Sequence, residues 1–226
     1  MAEHSGIGLE TTKLLSQNNR VIVLSRAKRN LDGLENVEFY SADITKQIDE
    51  LPQISESIDG IVYCPGTINL KPLKSLKIED FQNDFDVNLL GAVKVIYKYL
   101  NNLKSAEKSS IVLFSTVAVQ TGMQYHASIA SAKGAVEGLT RSLAAEFAPN
   151  IRVNCIAPSI TSTPLADKLL NNEAKLKASE DRHPLKRIGN AEEIAELVGF
   201  LLSDKSGFIT GQIIKVDGGI SSIKNI

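Results

Sequence analysis

The chain has 226 residues, 43% of them hydrophobic and 23% charged, which excludes a disordered segment, a collagen and a coiled coil. Its 25 basic and 26 acidic residues leave a formal net charge of -1, so no global field attracts nucleic acid or an anionic membrane. One domain spanning residues 1–226 suits that length.

In chain order, a helix is expected over residues 6–18, entered through Ser5-Gly6-Ile7-Gly8, with no strand before it. Val21-Ile22-Val23-Leu24 is a β-branched run suited to a strand buried on both faces. Residues 27–36 can hold a turn or two of helix at most before the next strand, Val37-Glu38-Phe39-Tyr40. Further strands are expected at Gly60-Ile61-Val62-Tyr63-Cys64, Ser110-Ile111-Val112-Leu113-Phe114, Arg152-Val153-Asn154-Cys155-Ile156 and Gln212-Ile213-Ile214-Lys215-Val216. Helical spacing of apolar residues marks 78–103 (Ile78, Phe81, Phe85, Leu89, Ala92, Ile96, Leu103), 127–147 and 191–202. Strands alternating with helices predict parallel strands joined by right-handed crossovers, an α/β, doubly wound, three-layer Rossmann sheet. No internal repeat, low-complexity tract or Pro/Gly-rich linker divides the chain.

Cys64 and Cys155 lie in apolar runs and read as buried core thiols rather than a disulfide. The first residues lack the basic start and apolar run of a signal peptide, so a cytoplasmic location is expected. The longest uncharged run, 109–132, is about half polar and suits no lipid span. His4, His126 and His183 are scattered without ligand spacing, and no metal site is expected.

Several residues carry chemistry. Glycines in Ser5-Gly6-Ile7-Gly8 let the backbone approach a phosphate, which the helix N-terminus attracts through unpaired N–H groups and its dipole. Ser25-Arg26 follows the first strand. An Arg there, with no acid, accommodates a 2′-phosphate and favours NADP (NADPH) over NAD, although a solvated basic turn explains it too. Asp43, beside Ile44, can take a hydrogen bond from an adenine amino group or form an Asx-turn. Cys64-Pro65-Gly66 bends the chain at a strand's carboxyl end, where the ligand crevice of such sheets lies. Asn88 stands on the apolar stripe of its helix, where a buried amide needs partners and either supports a site or ties the helix to a carbonyl.

With these segments, the chain resembles the short-chain dehydrogenase/reductase family from Met1 to about Gly219. The likeness also rests on Asn88-Leu89-Leu90-Gly91, Ser131-Ala132-Lys133-Gly134-Ala135, Asn154-Cys155-Ile156-Ala157-Pro158, Thr163-Pro164, Pro184-Leu185-Lys186-Arg187-Ile188-Gly189 and Val216-Asp217-Gly218-Gly219. Within the family the likeness is to the branch containing 3-oxoacyl-carrier-protein reductases. The resemblance implies hydride transfer between a nicotinamide and a carbonyl. Lys133 would bind the ribose, Asn88 would order a relay water, and Thr116, with Ser115 beside it, would polarise the carbonyl. Residues 158–163, including Pro158, Ile160 and Thr163, would cap the nicotinamide, and 164–186 would form a substrate lid.

Two departures stand out. The family's catalytic Tyr position holds Ile129, which has no proton to give, so His126, Tyr125, Thr116 or a water near Lys133 would have to donate. Met1 and Ala2 fall on the start of the family's phosphate loop, and the strand that should precede it has no counterpart. A truncated start or a weakened cofactor site is therefore expected. The resemblance implies an NADP(H)-dependent oxidoreductase acting on a small-molecule ketone or secondary alcohol; Leu165, Leu169, Leu170 and Leu176 in the lid region suit an acyl or alicyclic substrate, and a plain amphipathic helix explains them equally well. The alternative is a non-catalytic nucleotide-binding or scaffolding paralogue. It also implies a homodimer or homotetramer built through 78–103 and 127–147.

Overall fold

In the computed structural model, residues 6–28 and 30–224 are described. The expected β-branched runs form parallel strands. Val21–Ser25 (β1) pairs with Val37–Ser41 (β2), Val21 opposite Val37 and Ser25 opposite Ser41. A second parallel sheet runs in the order Gly60–Val62 (β3), Ser109–Phe114 (β4), Ile151–Pro158 (β5) and Ile213–Val216 (β6). β4 is buried at every position, as a strand covered by helices on both faces must be. The architecture is α/β and Rossmann-like. Among the described residues β1 and β3 are not hydrogen-bonded neighbours. Their facing edges line a cavity instead.

Helices cover both faces. On one lie Ile7–Ser16 (α1) and Ala191–Leu202 (α8), which pack on each other. Gly199 permits that approach, since a Cβ there would lie 3.2 Å from Leu14 Cδ2. α8 begins in a capping box: Asn190 Oδ1 accepts from the Glu193 amide at 2.8 Å, and the Glu193 carboxylate accepts from the Asn190 amide. Its Ile194, Val198 and Leu201 bury against Val112, Phe114 and Ile156. On the other face lie Gly91–Ser105 (α3) and Ala127–Phe147 (α5). Val95, Ile96 and Val136 pack there on Ile111, Leu113 and Val153. A smaller cluster of Leu9, Val23 and Leu31 sits beside β1.

The helix expected over 78–103 is interrupted. Ile78–Phe85 (α2) ends in a π turn, Asp86–Leu90, before α3 begins. The cause is a phenol inserted at the break. The Tyr63 hydroxyl donates to Val87 O at 2.5 Å. Gly91 leaves room for it, because a Cβ there would lie 2.1 Å from Tyr63 Oη. Such insertions widen a helical ladder locally. Residues 27–36 contain turns and no helix among the described residues. The short helix Ala118–Thr121 (α4) follows β4, and Asp167–Leu170 (α6) and Glu173–Arg182 (α7) lie between β5 and α8.

Candidate active site

The carboxyl end of β4 and the segment after β3 meet at one buried cation. Lys133, on α5, is 8% exposed, and its Nζ donates to Phe114 O at 2.9 Å. Burial pulls its pKa down to about 8, with opposition from the thiols of Cys155 and Cys64 and the Asp84 carboxylate. Gly66 lies beside it, after β3. A Cβ on Gly66 would meet Asn88 Oδ1 at 3.3 Å and Lys133 Nζ at 3.6 Å, so both polar atoms border the same spot.

Asn88 is 1% exposed and sits in the π turn. Its Nδ2 donates to Asp84 O at 2.7 Å and to Thr67 Oγ1 at 2.9 Å, while Oδ1 has no partner among the described residues. The amide thus binds a carbonyl of its own helical run and leaves one buried acceptor without a partner among the described residues. The fully buried Asp84 completes the cluster. It accepts from Thr67 Oγ1 and Ser128 Oγ, each at 2.5 Å.

Ile129 follows Ser128 and is buried, one helical turn from Lys133 on the same side of α5. Two substitute donors lie at the entry to α5. Tyr125 is 56% exposed and has a left-handed backbone, with φ 68°. His126 is the residue before α5, and its Nδ1 bonds Gln124 O at 2.7 Å. Ser115 is turned away from hydroxyl chemistry at the site: it is buried and donates to Glu137 Oε1 at 2.8 Å. Thr116 is only part-buried, and its Oγ1 accepts from the Ala118 amide at 3.3 Å, which leaves its proton available.

Around the dinucleotide end, Gly6 precedes α1 with φ 64°, and a Cβ there would lie 2.9 Å from Thr163 Cγ2. Gly8 is buried in the first turn of α1, beyond Ile7. Ser5 lies outside the described residues. Asp43 is half-buried and holds an Asx-turn: Thr45 N and Oγ1 donate to its Oδ1 at 3.0 and 2.8 Å, lowering its pKa. Ile44 next to it is in the core. Ser25 ends β1 and donates to Ala27 O, and Arg26 is exposed beside it, near enough to Asp43 to favour its carboxylate. Cys64 and Pro65 are half-buried after β3, and both cysteines are free thiols. Pro158 ends β5, and Ile160 O accepts from Gly189 N at 3.1 Å. Ser159 meets the buried His183: Ser179 O binds Nδ1 at 2.7 Å, so Nε2 is the acceptor for Ser159 Oγ at 2.5 Å. The open acceptor of Asn88, the inward ammonium of Lys133 and the glycines at 6 and 66 fit a nicotinamide dinucleotide.

Asp84, Thr67, Ser128 and Tyr63 escaped the sequence reading. One signal was present: Phe81, Asp84, Phe85 and Asn88 share a helix face, and a carboxylate on an apolar stripe marks a buried charge. No group of three or more possible metal ligands occurs among the described residues, and no described helix is long and apolar enough to cross a membrane.

Comparison with known proteins gives consistent likenesses. The family described as Enoyl-(Acyl carrier protein) reductase matches residues 1–221. The 3-oxoacyl-[acyl-carrier-protein] reductase FabG of Thermotoga maritima is 33% identical, covering 96% of this chain and 94% of that protein. A short chain dehydrogenase family protein from Francisella tularensis superposes with a TM-score of 0.88 at 32% identity, over 97% of this chain and 96% of its own. A gluconate 5-dehydrogenase from Burkholderia cenocepacia, solved with NADP and tartrate, superposes with a TM-score of 0.88 at 26% identity, over 97% and 92%.

Proposed function

Because this chain belongs to the short-chain dehydrogenase/reductase family, we propose that it transfers a hydride between NADP(H) and a ketone or secondary alcohol. The observation that carries this reading is the convergence of Lys133 Nζ and the open Asn88 Oδ1 beside Gly66. Bound nicotinamide supplies or takes the hydride. Lys133 binds the ribose hydroxyls and places a positive charge where substrate oxygen turns negative. Thr116 donates its hydroxyl proton to that oxygen as a hydrogen bond. Asn88 Oδ1 accepts from a water that Lys133 also holds; this water passes a proton to the oxygen in place of the absent phenol and takes one from the Lys133 ammonium, which regains it from solvent. α1 receives the pyrophosphate at its N-terminus, and Gly6 and Gly8 let the backbone come close. Arg26 at the end of β1, with no acid beside it, supports NADP over NAD. The NADP bound to the Burkholderia relative supports the same choice.

The substrate is of acyl or alicyclic type. Leu165, Leu169, Leu170 and Leu176 make 164–182 apolar enough to cover it, and the name of the Thermotoga relative supports an acyl chain. Assembly as a homodimer or homotetramer belongs to the same reading. It is supported by the exposed Tyr97 and Val93 on α3 and by the small residues Ala127, Ala130, Ser131 and Gly134 on α5. Light scattering on the purified protein reads that state directly.

Ile129 favours a second reading, a non-catalytic nucleotide-binding or scaffolding subunit. NADPH oxidation by the purified chain against a panel of ketones and 3-oxoacyl thioesters separates the two. Turnover with at least one carbonyl, and roughly tenfold tighter binding of NADPH than NADH (about 1.4 kcal/mol), is the expected result. Tight NADPH binding without turnover across the panel establishes the second reading.

A further inference from the structure

Asp84 lies on α2 and is fully buried. Its two oxygens take one hydroxyl each. Thr67 Oγ1, from the loop after β3, donates to Oδ1 at 2.5 Å, and Ser128 Oγ, from α5, donates to Oδ2 at 2.5 Å. One carboxylate therefore joins three segments of the chain beside the buried amide of Asn88. A carboxylate accepts and cannot donate, and a hydroxyl has a single proton. The Thr67 proton is spent on Asp84. The Thr67 oxygen has only lone pairs to offer any other neighbour.

That neighbour is Asn88. The oxygen and nitrogen of an amide have almost the same shape, and their partners decide which way round they sit. At one end of this amide are the Thr67 oxygen, at 2.9 Å, and the Asp84 carbonyl oxygen, at 2.7 Å. Both are acceptors, so the NH2 group belongs there and makes both bonds. At the other end lie the Gly66 backbone and Lys133 Nζ, since a Cβ on Gly66 would be 3.3 Å from Oδ1 and 3.6 Å from Nζ. Reversed, the amide would set its oxygen against two acceptors and its NH2 group toward an ammonium. Were the Thr67 proton free, that hydroxyl could donate to the reversed oxygen. One of the two repulsions would then become a bond.

We propose that Asp84 is a positioning residue: by holding the Thr67 proton it fixes the amide of Asn88 with Oδ1 toward Lys133. This deepens the hydride-transfer reading, in which that oxygen orders the relay water, and the effect on rate rests on that reading. The orientation itself does not. What the carboxylate supplies is an acceptor for Thr67 rather than a charge at the reacting atoms. Asp84→Asn should therefore serve in its place. Its remaining oxygen accepts from Thr67, its NH2 group meets Ser128, and the Ser128 proton turns to Asp80 O, 3.3 Å from Oγ. Asp84→Leu has a similar outline and removes every side-chain acceptor.

Nuclear Overhauser effects from the side-chain NH2 protons of Asn88, in the isotope-labelled full chain, read the orientation without any turnover. The Asn88 signals are those that Asn88→Ala removes. In the wild type and in Asp84→Asn the effects should be stronger to the Thr67 side chain than to the Gly66 Hα protons. In Asp84→Leu, or in Asp84→Ala where leucine is not accommodated, that order should reverse. Stronger effects to Gly66 in the wild type overturn the proposal. So does a folded Asp84→Leu or Asp84→Ala with the wild-type order. Reversal in Asp84→Asn also overturns it, because the charge and not the acceptor would then set the amide. With the reversed amide, kcat for carbonyl reduction should fall about tenfold while the KM for NADPH stays within about twofold. The expected effects with no turnover in the wild type, or with kcat unmoved, uphold the placement and overturn only the reading of what Oδ1 does.

Discussion

At position 129 a buried isoleucine stands one helical turn before Lys133 on α5. On the proposed function, with Lys133 and Asn88 serving the site, the missing element is one acidic hydroxyl. Ile129→Tyr should raise the NADPH oxidation rate about a hundredfold, the size of a positioned general acid. The larger ring in a buried site should lower stability by about 1–3 kcal/mol, measured by denaturant titration. An unchanged rate with intact NADPH binding would show that the proton reaches the substrate by another path. Lys133 makes a second prediction. Its folded pKa, about 8, lies below the ordinary value of 10.5. Between those values the unfolded chain binds the extra proton, so stability rises with pH from 8 to 10.5 and is flat below 8. The rise should be about 3 kcal/mol. Tyrosines titrate in the same range, so the check is the difference between wild type and Lys133→Met. The difference should show the rise, and a flat difference would mean that the ammonium is not desolvated.

The π turn at 86–90 is the element on which the site depends, because it aims Asn88 Oδ1 at Gly66. It exists because Tyr63 donates into the ladder and Gly91 yields the space. Gly91→Ala would drive a methyl group into the phenol and the Ile44 side chain. Expected is a loss of about 1–3 kcal/mol in denaturant unfolding, partly restored in the double variant with Tyr63→Phe. Simple additivity of the two changes would sink this account. The helix over 78–103 was legible from its apolar spacing, and Asn88 was legible on that stripe. The break was not, because its cause is a side chain from β3 about 25 residues away in sequence. The same limit hid the Asp84 cluster, whose hydroxyl donors come from the loop after β3 and from α5. Ser115 and Thr116 were adjacent and chemically alike in sequence. Only the position of Glu137 shows which hydroxyl is spent.

For the whole molecule, the alternation of strands and helices fixed the class of fold, and four of the six strands began and ended within one residue of the expected runs. Which strands pair was not legible from periodicity, which reports each strand's faces and says nothing of its neighbours. The β1–β2 unit has two strands, with the small cluster of Leu9, Val23 and Leu31 on one face and Leu24 reaching the main core on the other, against a β4 buried at every position. Native-state hydrogen exchange should therefore release the paired amides of β1 and β2 in an opening separate from, and lower in free energy than, that of β4 and β5. A single opening shared by all six strands would show that the helices alone join the sheets into one cooperative unit.

A Cβ on Gly6 would lie 2.9 Å from Thr163 Cγ2, and the chain from Thr163 runs directly into the helices proposed to cover the substrate. A molecule stretching from the start of α1 to Lys133 must therefore pass beneath the root of that cover. Entry then has a compulsory order, dinucleotide first and carbonyl second, with departure in reverse. A dead-end analogue of the carbonyl should inhibit uncompetitively against NADPH, and a noncompetitive pattern would mean that either ligand can enter first. In such a protein the cellular level of reduced dinucleotide decides how many copies stand ready for substrate at any moment.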